Sequence, residues 1–108
     1  MSDALNAGAL LAVARQETRL DDWGDESFEE RFGLAIKHIN SIPMDGAGRQ
    51  AAALNCHWLL SDRLKFFEDR KRFPLDAEVI ERPMFATGEP RSGTTLMHAL
   101  MSVDPDAR

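Results

Sequence analysis

Pro83-Met84-Phe85-Ala86-Thr87-Gly88-Glu89-Pro90-Arg91-Ser92-Gly93-Thr94-Thr95-Leu96 is the stretch on which the reading of the fold turns. Residues 83–87 suit a short buried strand, opened by a proline that cannot continue a helix. Gly88 and Gly93, five apart, give backbone that turns tightly and approaches an anion without a Cβ in the way. After the loop, Leu96, Met97, Leu100 and Met101 recur at helical spacing. A strand, a glycine-bounded turn and a helix aim successive N–H groups and the positive end of the helix dipole at one spot, a seat for phosphate or sulfate. An isolated GxxxxG favours an ordinary Gly/Pro/Ser surface loop; the flanking elements and the paired threonines reverse that preference toward the anion seat.

Set against the nucleoside triphosphatase loop GxxxxGK[ST], the segment keeps both glycines and the final hydroxyl but carries Thr94 in place of lysine. Without that cation, charge developing on a β- or γ-phosphate goes uncompensated, which disfavours ordinary ATP or GTP hydrolysis. A different cation, Arg91, lies inside the loop. Its planar donor fork can reach a phosphate and a bridging oxygen together, which suits another kind of anion transfer.

Pro90-Arg91-Ser92-Gly93-Thr94-Thr95-Leu96-Met97, with Asp104-Pro105 a turn later, resembles the 5′-phosphosulfate loop of sulfotransferases that use 3′-phosphoadenosine 5′-phosphosulfate (PAPS). The arginine form is similar to the tyrosylprotein and bacterial branch; the cytosolic branch carries lysine where Arg91 stands. An amino-terminal helix, the acidic link Leu20-Asp21-Asp22-Trp23-Gly24-Asp25, a helical pair and Glu81-Arg82-Pro83 are also similar to bacterial members. The resemblance implies that backbone N–H groups of Arg91 to Thr95, including that of Gly93, and the hydroxyls of Ser92, Thr94 and Thr95 hold the 5′-phosphate and sulfuryl group. It implies that Arg91 is catalytic, stabilising charge on the leaving oxygen as the sulfuryl group moves to an acceptor hydroxyl or amine. No metal is implied. Thr95 stands where a nucleotidase holds magnesium, but in this family it contacts phosphate directly.

The expected fold class is therefore mainly α, the amino-terminal part of an α/β phosphate-loop sulfotransferase with one strand–loop–helix unit after about three helices. Residues 1–82 form the expected helical region, and residues 83–108 the first strand, loop and following helix. The family's 3′-phosphate site, purine-binding segment and catalytic base lie downstream of the loop; in the tyrosylprotein type the base is a glutamate soon after the position of Arg108. The expectation is thus a truncated chain, inactive alone. Two departures weigh against the loop: the Glu89 carboxylate beside a polyanion site, unless it turns away or pairs with Arg82, and the Thr87 hydroxyl at the strand end. Two alternatives stay open, a kinase- or nucleotidase-like phosphate-loop protein and a noncatalytic helical interaction module.

With 108 residues, 44% of them apolar and 29% charged, the composition is that of one small globular domain. No apolar run exceeds the six residues Ala9 to Ala14, and Met1-Ser2-Asp3 lacks the basic head of a secretory signal. These features predict a cytoplasmic protein that does not enter membranes. The net charge of −5 argues against a general nucleic-acid binder, and residues 1–30 hold eight acidic and two basic side chains. Arg70-Lys71-Arg72, beside Glu68 and Asp69, reads as a solvated helix face. One cysteine and three scattered histidines give neither an internal disulfide nor a zinc ligand cluster. The resemblance implies a small-molecule or peptide acceptor as partner, which the residues do not further identify, nor do they fix an oligomeric state.

Three helices are expected ahead of the strand. Residues 3–16 suit the first, capped by Ser2 or Asp3, with Leu5, Ala9, Ala12 and Val13 on one side. Ser27-Phe28-Glu29-Glu30 matches a capping box, and Phe28, Phe32, Ala35, Ile36, Ile39 and Ile42 form a stripe that stops at Pro43. Asp45 or Gly46 opens a long third helix, with Leu54, Trp58, Leu64 and Phe67 near one face, ended by Pro74. Residues 76–80 allow a short turn. His57 beside Cys56 is not a thiol–base pair, because helix neighbours point about 100 degrees apart. His98, one turn after Thr94, is a candidate for the nucleotide pocket. Met97 and Met101 read as packing, and Trp23 and Trp58 as anchors of helix contacts.

Overall fold

The computed structural model describes residues 4–106, which form two compact units divided between Glu78 and Val79. The first holds α1 (Ala7–Thr18), α2 (Phe28–Ser41), α3 (Gly46–Arg72) and a single 3-10 turn at Leu75–Ala77; the second holds α4 (Thr94–Met101). At 1.5 Å per residue the 27 residues of α3 run for about 40 Å. That helix is the spine against which α1 and the Trp23 loop pack.

Local chemistry sets the helix ends. Asn6 caps α1, its side chain accepting from the Ala9 N–H at 2.8 Å, and Arg19 closes it in the left-handed region. The expected caps Ser2 and Asp3 lie outside the described residues. Asp45 caps α3 by accepting from Gly48 N–H at 2.7 Å, as its spacing foretold. Ser27 precedes α2 without making the expected capping-box bond: its N–H and hydroxyl both donate to Asp25 Oδ1. A carboxylate two residues upstream satisfies the serine in a local turn, competing with the cap geometry.

The core joins Leu11 and Ala14 of α1, Trp23 of the loop, and Leu60 and Leu64 of α3, with Leu10, Leu20, Phe28 and Phe32 packed around them. Trp23 stacks on Phe28 at 5.3 Å between centroids, and Phe28 on Phe32 at 6.1 Å. Arg63 lies 4.0 Å over the Phe28 ring and donates Nε–H to the Trp23 carbonyl at 2.8 Å, fixing the loop to α3. Trp23 is therefore the anchor the sequence predicts. Trp58, 60% exposed, is not, and α1 buries Leu11 and Ala14 while Ala9, Ala12 and Val13 face solvent.

The second unit corrects the expected fold class. Among the described residues there is no strand: residues 83–87 have no ladder partner, and Met84 and Phe85 are exposed. An apolar run becomes a strand only by pairing its N–H and C=O groups with a neighbour, and residues 4–106 supply none. The strand–loop–helix unit of an α/β phosphate-loop fold reduces to a loop and a helix, and the described chain is all-α.

Candidate functional site

The candidate site is the turn leading into α4. Glu89 C=O accepts from Ser92 N–H at 3.2 Å, closing a turn, and Arg91 within it takes φ 67, the left-handed region. Gly93 follows at φ 90 and starts the helix, its carbonyl accepting from Met97 N–H at 3.0 Å. The two glycines act for different reasons. At Gly93 a side chain is strained by the dihedral; at Gly88 a Cβ would stand 2.6 Å from Ser92 Oγ and 3.0 Å from Thr94 Cγ2. The loop is thus folded back on itself, with Gly88 against the Ser92 and Thr94 side chains.

No side chain caps α4, so the first-turn amides of Thr94, Thr95 and Leu96 take no hydrogen-bond partner among the described residues. Beside this uncapped helix start, where the positive end of the dipole lies, is an open concavity of about 600 Å³ lined by Arg91, Gly93, Thr94, Thr95, Leu96 and Ala99. The Arg91 guanidinium forms no ion pair among the described residues, and neither does Glu89. Glu89 therefore does not pair with Arg82.

Four of the five residues expected to bind the donor, Arg91, Gly93, Thr94 and Thr95, line this one concavity. Ser92 does not line it; its N–H is spent on the turn, so only its hydroxyl remains for a ligand. His98 also stays outside the lining, its carbonyl accepting from Ser102 N–H at 3.0 Å. Leu96 and Ala99 are additions the sequence reading passed over. The signal was Thr95 and Ala99 at i, i+4, which puts a small residue one turn below the threonine.

Elsewhere, the residues with chemical potential are mostly engaged. Burial pushes the Cys56 thiol up, away from a nucleophilic thiolate. His57 Nε2 meets Glu17 Oε2 at 2.9 Å. Each cation of the α3 terminus has a carboxylate: Arg70 with Asp76 at 2.8 Å, Lys71 with Asp22 at 2.7 Å, Arg72 with Glu68 at 3.0 Å. That is the solvated, compensated face expected of the basic cluster. Among the described residues no group of three or more His, Cys, Asp or Glu could hold a metal ion, and no helix is long and apolar enough to cross a membrane.

Comparison with protein-family models, curated proteins and solved structures finds no match to the chain.

Proposed function

We propose that the Arg91–Thr95 turn and the first turn of α4 seat the 5′-phosphosulfate of PAPS, and that the chain serves a cytoplasmic sulfotransferase whose acceptor is a hydroxyl or amine on a small molecule or peptide. The observation that carries this reading is that Arg91, Gly93, Thr94 and Thr95 line one concavity at a helix start that no side chain caps. A tetrahedral anion needs several donors converging from one side and no carboxylate paired with the cation, and this loop offers both.

PAPS supplies a sulfuryl group attached to a phosphate leaving group. The Thr94, Thr95 and Leu96 amides and the threonine hydroxyls hold the phosphate oxygens, fixing the donor for in-line displacement. As the bond from sulfur to the phosphate oxygen breaks and the bond to the acceptor forms, negative charge grows on that phosphate oxygen. Arg91 neutralises it with a fixed donor fork. The acceptor proton leaves to a base, a role we assign to none of residues 4–106.

The test is a titration of the isotopically labelled chain with adenosine 3′,5′-bisphosphate, followed by the backbone amide resonances of residues 91–96. Saturable shifts at Thr94 and Thr95, absent with ATP and magnesium at the same concentration, are expected. Equal or stronger shifts with ATP and magnesium, or none with the bisphosphate, would overturn the proposal.

A further inference from the structure

A second concavity, of about 390 Å³, lies in the first unit between the end of α1 and the middle of α3. Its walls are Glu17 and Thr18 from α1, and His57, Trp58, Ser61, Asp62 and Lys65 from α3. Trp58, Ser61, Asp62 and Lys65 stand at i, i+3, i+4 and i+7, so one face of α3 presents an indole, a hydroxyl, a carboxylate and an ammonium together. We propose that this groove binds an organic cation with an apolar body, of the arylalkylamine class, independently of the α4 loop.

Three observations support a ligand there. Trp58 is 60% exposed, whereas the other tryptophan, Trp23, is 5% exposed at the centre of the core. More than half of the indole residue's surface is thus left uncovered and open to a ligand. The side chains of Ser61, Asp62 and Lys65 have no hydrogen-bond or ion-pair partner among the described residues. By contrast, the floor is built: His57 Nε2 is held by Glu17 Oε2 at 2.9 Å, and the Thr18 hydroxyl donates to the Ala14 carbonyl at 2.7 Å. The groove thus sets two engaged groups, His57 and the Thr18 hydroxyl, beside polar side chains that can still bind a ligand.

Charge and the indole together select the class. Glu17 is bonded to His57, which leaves Asp62 as the groove's unengaged carboxylate, beside the Lys65 ammonium. The negative face of the indole quadrupole also favours a cation. An amine would sit between Asp62 and the indole, its apolar body along the Trp58 ring, and Lys65 on the next turn would exclude a second positive charge. A carboxylate ligand meets the Lys65 ammonium as a single point charge with no planar donor fork, and with the Asp62 carboxylate beside it.

The exposed indole makes the site its own reporter. Phenethylamine titrated into the full chain is expected to give a saturable change in tryptophan emission, while phenylacetate gives none. Asp62→Asn is expected to weaken binding about fivefold or more, since it removes the charged acceptor but leaves the ring. Calorimetry on Trp58→Leu should show phenethylamine binding lost with the melting temperature retained, because the side chain lies outside the core. Equal saturation by phenylacetate, an Asp62→Asn variant that titrates like the parent, or heat of binding unchanged in Trp58→Leu would each overturn the proposal.

Discussion

Gly24 lies so close to Phe67 that a Cβ built on it would stand 2.1 Å from the tip of the ring. The backbone there has φ 83, and the Asp22 carboxylate accepts from the Gly24 N–H at 2.8 Å. One residue thus lets the acidic link turn sharply and lets α3 come up against it. Gly24→Ala combines a strained dihedral with a clash against an aromatic ring held in place by Arg63. We expect a loss of about 2–4 kcal/mol from these two mechanisms together, read as a lower urea midpoint at unchanged slope.

Asn40 and Leu5 exchange a reciprocal pair of bonds. Leu5 N–H donates to Asn40 Oδ1 and Asn40 Nδ2 donates to Leu5 C=O, both at 2.9 Å, so α2 holds the segment entering α1. The amide group matches both functions of a peptide, which an ionised carboxylate, an acceptor only, cannot do. Asn40→Ala should cost about 1–2 kcal/mol, and Asn40→Asp should keep only the acceptor half. Hydrogen exchange at the Leu5 amide is the direct check: faster exchange in Asn40→Ala, with Leu60 and Leu64 amides following only the global stability.

The helices and the turn were legible in the sequence because their signals are local. Asp45 ahead of α3, Pro43 beyond α2 and Pro74 beyond α3 act within a few residues. The turn before α4 was legible for the same reason, since Gly88 lies against the Ser92 and Thr94 side chains and Arg91 and Gly93 take positive φ. Burial was less legible. Leu54 and Trp58 are as apolar as Leu60 and Leu64, and only the docking of α1 decides which side of α3 is covered. The strand at residues 83–87 failed on the same principle, because pairing is a property of two segments. Ser27 shows a third kind of miss, in which a motif was present but Asp25 outcompeted it.

Acid should loosen the first unit through its loop carboxylates. The bond from Lys71, then that from the Gly24 amide, holds Asp22 below its ordinary value; the Ser27 N–H and hydroxyl do the same for Asp25. A carboxylate whose folded pKa is depressed contributes stability that is present above its unfolded pKa and lost as pH falls through the folded one. Lys71 runs the other way: raised by Asp22, it contributes below its unfolded pKa and loses that contribution as pH rises through the folded one. Asp22→Asn should therefore flatten both the acid and the alkaline arms of the stability profile. Thermal melts from pH 2 to 11 check this; an unchanged profile at both ends would show that the Asp22–Lys71 pair is too screened to matter.

Arg91 and Gly93 separate charge from shape at the α4 loop. Arg91→Ala removes the one unpaired cation lining the concavity while leaving the Gly93 dihedral and the helix amides in place. Adenosine 3′,5′-bisphosphate should then still shift the Thr94 and Thr95 amides, but with affinity about tenfold weaker, the size of one charge-assisted bond. Arg91→Lys keeps the charge and loses the fork, and should recover part of that factor. Gly93→Val acts differently: at φ 90 a β-branched residue cannot hold the turn, so the amides no longer converge and the shifts should vanish rather than weaken. Equal losses from Arg91→Ala and Gly93→Val would mean that Arg91 shapes the loop instead of binding the anion, and its assigned charge role would fall.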